Sequence, residues 1–588
     1  MSIGFRARPS RTGPLIDFYK PPWYHRRDKH PPPWKGFSMK KTLSLLLALV
    51  LLAMPCTALA AAGYSDVPAD SWAVSDVQAA KDYGLMEGTA PGVFGYGHTI
   101  SRAQFVTVLC RMLGWDTSAG ADPGFTDTKG HWAASYLAAA VKNGAIDQGG
   151  AFRPDAPITR EDMAVMLVRA LGYQDIAQKA AGYPLPFTDV TTNRGYIVVA
   201  YDIGMTNGVS DTRFAPASSA TREQAAAMLV RMYEKYTAKT NWLHGFYAIS
   251  SYSQIGLTQD MDAVSLGWSR MTYSTEAGPV LNTTSSGGNV YAIPAGYEDA
   301  VGQLQANGCQ LNLSVFMDNT GGGLTALLNS AASRETAADL IVAEATRVYD
   351  KLGASPYTGV TIDFEGLSGS SNRTNFVQFL TVLSQRLKAK GLSLTVTVMP
   401  ATADGAYYDG YDYRAIGRLA DKVILMAHDY QPTSLAGFLG TTYYKNAALT
   451  PIQSVYDSLR AATDPDAGVE DVSKLALAIS CSATAWQVDG SGKLVSETPI
   501  HPAMSTVASR LQQGAVMGWS ETYRNPYLTY TTENGQNIFL WYEDSRSVGE
   551  KVQLAKLFGI TSVSLWRLGT IPNLTDETLY FNVLDACT

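Results

Sequence analysis

Apolar positions along the chain follow two different periods. Between Tyr64 and Tyr236 they recur at helical spacing, in blocks that come round three times. Each block opens on an aromatic-x-Asp triplet: Tyr64-Ser65-Asp66, Phe125-Thr126-Asp127 and Phe187-Thr188-Asp189, spaced 61 and 62 residues apart. An aromatic residue (Trp72, Trp132 or Tyr196) then leads an apolar helical pattern that stops at Gly84, Gly144 or Gly204. A short turn follows, Phe94-Gly95-Tyr96, Phe152-Arg153-Pro154 or Phe214-Ala215-Pro216, and a second helix starts after Ser101, Thr159 or Thr221. In the first copy Phe105, Val108, Leu109 and Met112 form an i, i+3, i+4, i+7 stripe. Each copy is therefore a helix–turn–helix whose apolar face needs its neighbours. Ser101 with Gln104 and Thr221 with Gln224 have the spacing of a capping box, in which each residue satisfies an amide of the other's turn.

After Lys239 the period changes. Short β-rich runs alternate with helical stretches at 243–249, 263–268, 311–316, 359–364, 392–398, 422–426, 475–480 and 562–565. Eight apolar runs, mostly separated by helix-length segments, predict a parallel (β/α)8 TIM barrel. Gly514 to Asp544, rich in Tyr and Trp, reads as an α+β insertion before the last strand. The length of 588 residues exceeds what one core supports. The expectation is a multidomain chain, with helical repeats at 64–115, 125–174 and 187–236 and a barrel at 242–588.

The N-terminus changes the picture of where the chain acts. Lys40-Lys41, an apolar run from Leu43 to Met54, and Ala58-Leu59-Ala60 read as a secretory signal peptide over 39–60. The run is shorter than the roughly 20 residues that span a bilayer, so no membrane span is expected after cleavage. Residues 1–38, rich in Arg, Pro and Trp, read as an upstream extension, with Met39 as the true start. The composition, 46% hydrophobic and 17% charged, is that of a globular protein. A net charge of −6 gives no footprint for nucleic acid. Cys110, Cys309, Cys481 and Cys587 remain after removal of Cys56, without any C-x-x-C pair, so they read as buried thiols rather than a zinc site or disulfide framework.

Two groups of residues carry chemistry. In Gly359-Val360-Thr361-Ile362-Asp363-Phe364-Glu365, alternate residues share one face of a strand, so Thr361, Asp363 and Glu365 project inward together. Two carboxylates at a strand's C-terminal end repel, which raises the pKa of one and readies it as a general acid. A rim pair facing water, or a set of metal ligands, is the alternative. The second group is Arg102, Arg160 and Arg222, each just after a helix cap, where the dipole disfavours a cation by a few tenths of a kcal/mol. An ion pair to Asp66, Asp127 or Asp189 would explain them. So would a role as ligand arginines that join the capping amides in holding an anion.

The repeats resemble S-layer homology domains, whose signature combines an F-x-D opening, a W-A helix start and an I-T-R-A-E second helix. Ile100-Ser101-Arg102-Ala103, Ile158-Thr159-Arg160-Glu161 and Ala220-Thr221-Arg222-Glu223 carry the resemblance, over residues 64–236. It implies a cell-surface protein of a Gram-positive-type bacterium, bound through the motif arginines to a pyruvylated secondary wall polymer.

The barrel segment resembles the D-x-x-D-x-D-x-E signature of glycoside hydrolase family 18, with Thr358 and Thr361 in place of the first two aspartates. The resemblance implies that Glu365 is the proton donor and that Asp363 orients the substrate's N-acetyl group. Met426-Ala427-His428-Asp429, followed by Tyr430, is similar to the family's M-x-Y-D strand end, with His428 where a tyrosine steadies the acetamido group. Trp541 to Ser547 and Ser564 to Gly569 resemble the closing region of the spore-peptidoglycan-lytic branch, which makes Trp566 the aromatic floor under the reacting sugar. Thr361, Met426 and Tyr430 complete the implied substrate set. The implied activity is retaining, substrate-assisted cleavage of β-1,4 bonds in an N-acetylhexosamine polymer, without metal or organic cofactor. Peptidoglycan is favoured over chitin because tethering to the wall raises its local concentration. A barrel that only binds glycan, and a structural surface-layer protein, are the competing classes.

Overall fold

The computed structural model describes residues 63–118, 120, 122–401, 408–572 and 577–588. The signal peptide and the upstream extension read from the sequence lie outside them. The described chain divides into two compact units: residues up to Ile158 with Ser219–Leu229, and Thr159–Ser218 with Val230–Thr588. No helix among the described residues is long and apolar enough to cross a membrane.

The first unit holds the helices Val74–Asp82, Arg102–Met112 and Ala134–Lys142. The predicted stripe of Phe105, Val108, Leu109 and Met112 is buried throughout. The capping box at Ser101 is complete: its Oγ accepts from the Gln104 amide at 3.2 Å, and Gln104 Oε1 accepts from the Ser101 amide at 3.1 Å. At Thr221 only half of the predicted box forms. Gln224 Oε1 accepts from the Thr221 amide at 3.1 Å, while the Thr221 hydroxyl is buried without a partner. In the second unit Thr159, which has no glutamine partner, caps Arg160–Ala170 with its own hydroxyl on the Asp162 amide at 3.1 Å.

The barrel strands of the second unit are β1 (Trp242–Tyr247), β2 (Ala263–Ser274), β4 (Gln310–Asp318), β5 (Gly359–Glu365), β6 (Ser393–Val398), β7 (Lys422–Leu425), β8 (Leu475–Ser480) and β13 (Ser562–Trp566), with β3 (Gly278–Asn282) as an antiparallel hairpin partner of β2. The eight are parallel and close on themselves where β1 pairs with both β2 and β13. All eight predicted runs are thus barrel strands. The insertion is longer than predicted. β9 (Ala483–Val488), β10 (Val516–Ser520), β11 (Asn525–Thr531) and β12 (Asn537–Tyr542) form a separate antiparallel sheet in the order β10-β11-β12-β9. β9 follows β8 after only two residues, so the pattern alone merges them.

The floor of the barrel is polar. His244 Nδ1 lies 2.8 Å from Ser564 Oγ and its Nε2 lies 2.7 Å from Ser265 Oγ, which in turn lies 2.7 Å from Thr361 Oγ1. Asn312 donates to Thr361 at 3.2 Å and to Thr395 at 3.3 Å. Burial drives the His244 imidazole down to about 3, so it stays neutral and both ring nitrogens are satisfied by hydroxyls. At this level only glycine fits position 359, because a Cβ there would come within 2.1 Å of Ser393 Oγ. The four cysteines Cys110, Cys309, Cys481 and Cys587 are buried free thiols.

Residues 174–202 pack on the barrel helix Ile452–Ala462 within the same unit. Lys179 and Tyr183 reach Asp457 at 2.5 and 2.7 Å, and Arg460 reaches Asp202 at 2.8 Å.

Candidate active site

β5 ends at the mouth of the barrel and delivers both carboxylates of the sequence motif. Asp363 is 4% exposed, and its Oδ1 accepts a 2.7 Å hydrogen bond from Thr397 on β6. Glu365 is half-buried and faces Asp318 across the ladder from β4. Asp429 follows β7 with a left-handed backbone, φ 58°. Its Oδ2 lies 3.0 Å from His428 Nδ1 and its Oδ1 accepts from Ser482 at 2.8 Å.

The environments push these acids apart. Burial first, then the carboxylates of Asp363, Asp318 and Asp429, raise Glu365 well above the usual carboxylate range. Burial also raises Asp363, against the opposing pull of the Thr397 hydroxyl and of His428. Asp429 ends below its ordinary value, because His428, Ser482 and Ser480 outweigh the effect of burial. Glu365 is the group that keeps its proton, which is the condition for a general acid.

The cavity above Asp363 is walled by aromatic rings. Trp566 meets Phe246 edge-on at 5.1 Å, and Tyr291 stacks on Phe316 at 4.7 Å; all four rings line the space that Asp363 enters. Met426 lies at the base of this wall with Phe246, Ile424, Ala476 and Ala478.

Two sequence-derived assignments shift. Thr361 points inward as expected, but its hydroxyl belongs to the Ser265–Asn312 layer of the floor, and the hydroxyl that reaches Asp363 is that of Thr397. Tyr430 commits its hydroxyl to Ser458 Oγ at 2.7 Å, on the helix behind the site. Sequence reasoning missed Thr397 and Tyr291. Threonine in a strand is an ordinary β-former, and Tyr291 comes from an irregular loop after β3.

A larger concavity, about 900 Å³, lies on the small sheet among Tyr527, Thr529, Phe539, Asn537 and Lys445. Its lining includes Asp489 but no paired carboxylates, so the chemistry stays with the barrel.

The repeat motif builds a different geometry. Asp66 accepts from the amides of Phe94, Gly95 and Tyr96 at 2.7, 2.7 and 2.9 Å. Asp127 holds the amides of Phe152 and Arg153, and Asp189 those of Phe214 and Ala215, all within 2.9 Å. These amides hold all three carboxyls below their usual range, overcoming burial at Asp66 and Asp127. The middle turn residue is left-handed in every copy: Gly95 at φ 85°, Arg153 at 58° and Ala215 at 59°. The arginines bond to the carbonyls of the turns that these aspartates hold. Arg102 donates through Nε to the Phe152 carbonyl at 2.9 Å, Arg160 to that of Phe214 at 2.9 Å and Arg222 to that of Phe94 at 2.8 Å. Each guanidinium also sits 4.7–4.9 Å from the ring of that phenylalanine. Each repeat's arginine thus secures the turn of another repeat.

A closed parallel barrel with paired carboxylates at a strand's C-terminal end is a TIM barrel whose candidate chemistry sits at the strand ends. Residues 294–570 match the family model of glycosyl hydrolases family 18, and residues 63–106 and 124–164 match that of the S-layer homology domain. It is 24% identical over 276 residues to a cortical fragment-lytic enzyme of Bacillus anthracis, covering 46% of this chain and 59% of that one. It is 28% identical over 209 residues to the S-layer protein sap of Bacillus anthracis, covering 34% and 25% respectively. A chitinase from Chromobacterium violaceum aligns at 20% identity and TM-score 0.45, over 59% of this chain and 98% of that one. The chain spans about three-fifths or less of the length of these curated relatives.

Proposed function

We propose that this chain hydrolyses an N-acetylhexosamine polymer at the cell surface, by a retaining, substrate-assisted route. The observation that carries the proposal is the geometry of β5: Asp363 is buried in an aromatic-walled cavity and held by Thr397, with Glu365 two residues further along the same strand face. Glu365 protonates the leaving oxygen. The substrate's 2-acetamido carbonyl attacks the anomeric carbon, and Asp363, steadied by Thr397, stabilises the resulting oxazolinium. Water then opens that ring with retention, Glu365 accepting its proton. Trp566 lies under the reacting sugar, while His428 and Asp429 flank the acetamido group. The three arginine-locked turns seat the wall polymer: Arg102, Arg160 and Arg222 fix the phenylalanine turns, and Asp66, Asp127 and Asp189 shape them.

Counting new reducing ends on peptidoglycan, on chitin oligomers and on de-N-acetylated versions of both tests the reading. Cleavage is expected only where N-acetyl groups remain, with β-configured products by NMR. Equal cleavage of de-N-acetylated glycans, or binding without any cleavage, would sink it.

Thr397→Val checks the role of the hydroxyl on Asp363. Loss of a hydrogen bond to a charged group costs about 1.5–3 kcal/mol, so kcat should fall about 10- to 100-fold with little change in KM. The lost bond favoured the ionised form, so the acid limb of the pH–rate profile should move to higher pH. Thr397→Ser should restore both.

A further inference from the structure

The mouth of the barrel is strongly acidic, since Asp318, Asp363, Glu365 and Asp429 converge on one another electrostatically. Such a site repels an anionic glycan unless a cation answers it. Two arginines lie close enough to do so, and they differ. Arg270 is spent: its Nη2 lies 2.7 Å from Asp318 and its guanidinium stacks 5.4 Å from the Phe316 ring. Arg567, directly after Trp566, lines the same cavity as Asp363, and the side-chain bond of its guanidinium is to a neutral hydroxyl. Its Nη1 donates to Ser250 Oγ at 2.8 Å, on the loop that follows β1, which fixes the head while leaving Nε and Nη2 for a ligand. Its charge is felt at Tyr291 on the facing wall. A neutral N-acetylglucosamine polymer has no use for a fixed guanidinium at this place, whereas a planar fork of donors matches a carboxylate.

We infer that Arg567 is a specificity residue that binds a carboxylate carried by the glycan beside the cleaved bond, so that the preferred substrate is an acidic N-acetylhexosamine polymer of the peptidoglycan type rather than chitin. The inference rests on the hydrolase reading above. The carboxylate has two possible sources: the lactyl ether of a peptide-free muramyl residue, or the stem peptide of a substituted one.

The test compares kcat/KM of the full chain on peptide-stripped strands, peptide-bearing strands and neutral chitin tetramers, for wild type, Arg567→Gln and Arg567→Lys. The expected result is a fall of about 10- to 100-fold in the acidic-to-neutral ratio for Arg567→Gln, carried mostly by KM, with partial recovery in Arg567→Lys. In wild type that ratio should also shrink as salt rises. A fall confined to stripped strands names the lactyl carboxylate, and one confined to peptide-bearing strands names the stem peptide. A ratio unchanged within about twofold on both overturns the inference while leaving the hydrolase reading intact. Should the wild type cleave nothing, the hydrolase reading falls, and the same ratio taken from co-sedimentation still decides the role of Arg567.

Discussion

Replacing Glu365 with Gln is expected to slow glycan hydrolysis by roughly 10²- to 10⁴-fold while the protein still binds its glycan. Glutamine keeps the shape of the side chain but has no proton to give a leaving oxygen. The pH dependence supplies a sharper check. Glu365 works protonated, and burial together with three neighbouring carboxylates is what keeps it so. Activity should therefore fall on the alkaline side as Glu365 ionises. Removing one neighbour, with Asp318→Asn, relieves part of the repulsion and should move that alkaline limb to lower pH. The same burial has a stability signature. A carboxyl whose folded pKa is raised binds more protons in the native than in the unfolded state, so stability declines as pH climbs from the ordinary carboxylate range through the folded value. Glu365→Gln should thus melt higher than wild type at alkaline pH and show less difference in acid. An alkaline limb indifferent to Asp318→Asn, or a variant no more stable than wild type above neutrality, would contradict this account of the site.

The second large effect is expected at the joint between the small sheet and the last barrel strand. Glu543, just after β12, and Lys551, in the helix Ser545–Leu557, are each 1% exposed and meet at 2.6 and 2.8 Å. Glu543 also accepts from Ser547 at 2.6 Å and Asn525 at 3.0 Å, so its oxygens are fully used. Asp544 caps the same helix through the amides of Arg546 and Ser547. Removing one partner of such a pair strands a buried charge, at a cost of about 3–5 kcal/mol. Lys551→Met should therefore lower the unfolding midpoint of the catalytic unit by several degrees. The double replacement Lys551→Met with Glu543→Gln should recover most of the loss, because glutamine keeps hydrogen bonds to Asn525 and Ser547 without the charge. Equal instability of single and double variants by calorimetry would show that the pair contributes through shape alone.

The segment from Trp541 to Ser547 is thus a structural joint, although its resemblance drew attention to it alongside Trp566. The contrast shows which parts of this protein are visible along the chain. Parallel strands buried on both faces leave continuous apolar runs, which is why all eight barrel strands stood out. Asp363 and Glu365 stood out for the converse reason, since charge inside an apolar strand demands a partner or a purpose. What stayed hidden depends on neighbours across space. Thr397 reaches Asp363 from a strand that begins 30 residues downstream, Tyr291 arrives on a loop without period, and Tyr430 turns its hydroxyl toward Ser458 for reasons of packing. The motif arginines drew attention through their odd position at a helix start, yet only coordinates show that each closes on the phenylalanine turn of another copy.

The clasp between residues 174–202 and the barrel helix Ile452–Ala462 bears on how the barrel would stay joined to the repeats if the chain between them were cut. A surface protein whose catalytic part hangs on a loose tether is shed by one proteolytic nick. Here a nick between Asp202 and Trp242 would leave Lys179 and Tyr183 on Asp457 and Arg460 on Asp202, holding the fragments together without the covalent link. Release would also have to break the ion pairs of Lys179 with Asp457 and of Arg460 with Asp202, so a barrel nicked there is expected to stay with its repeats.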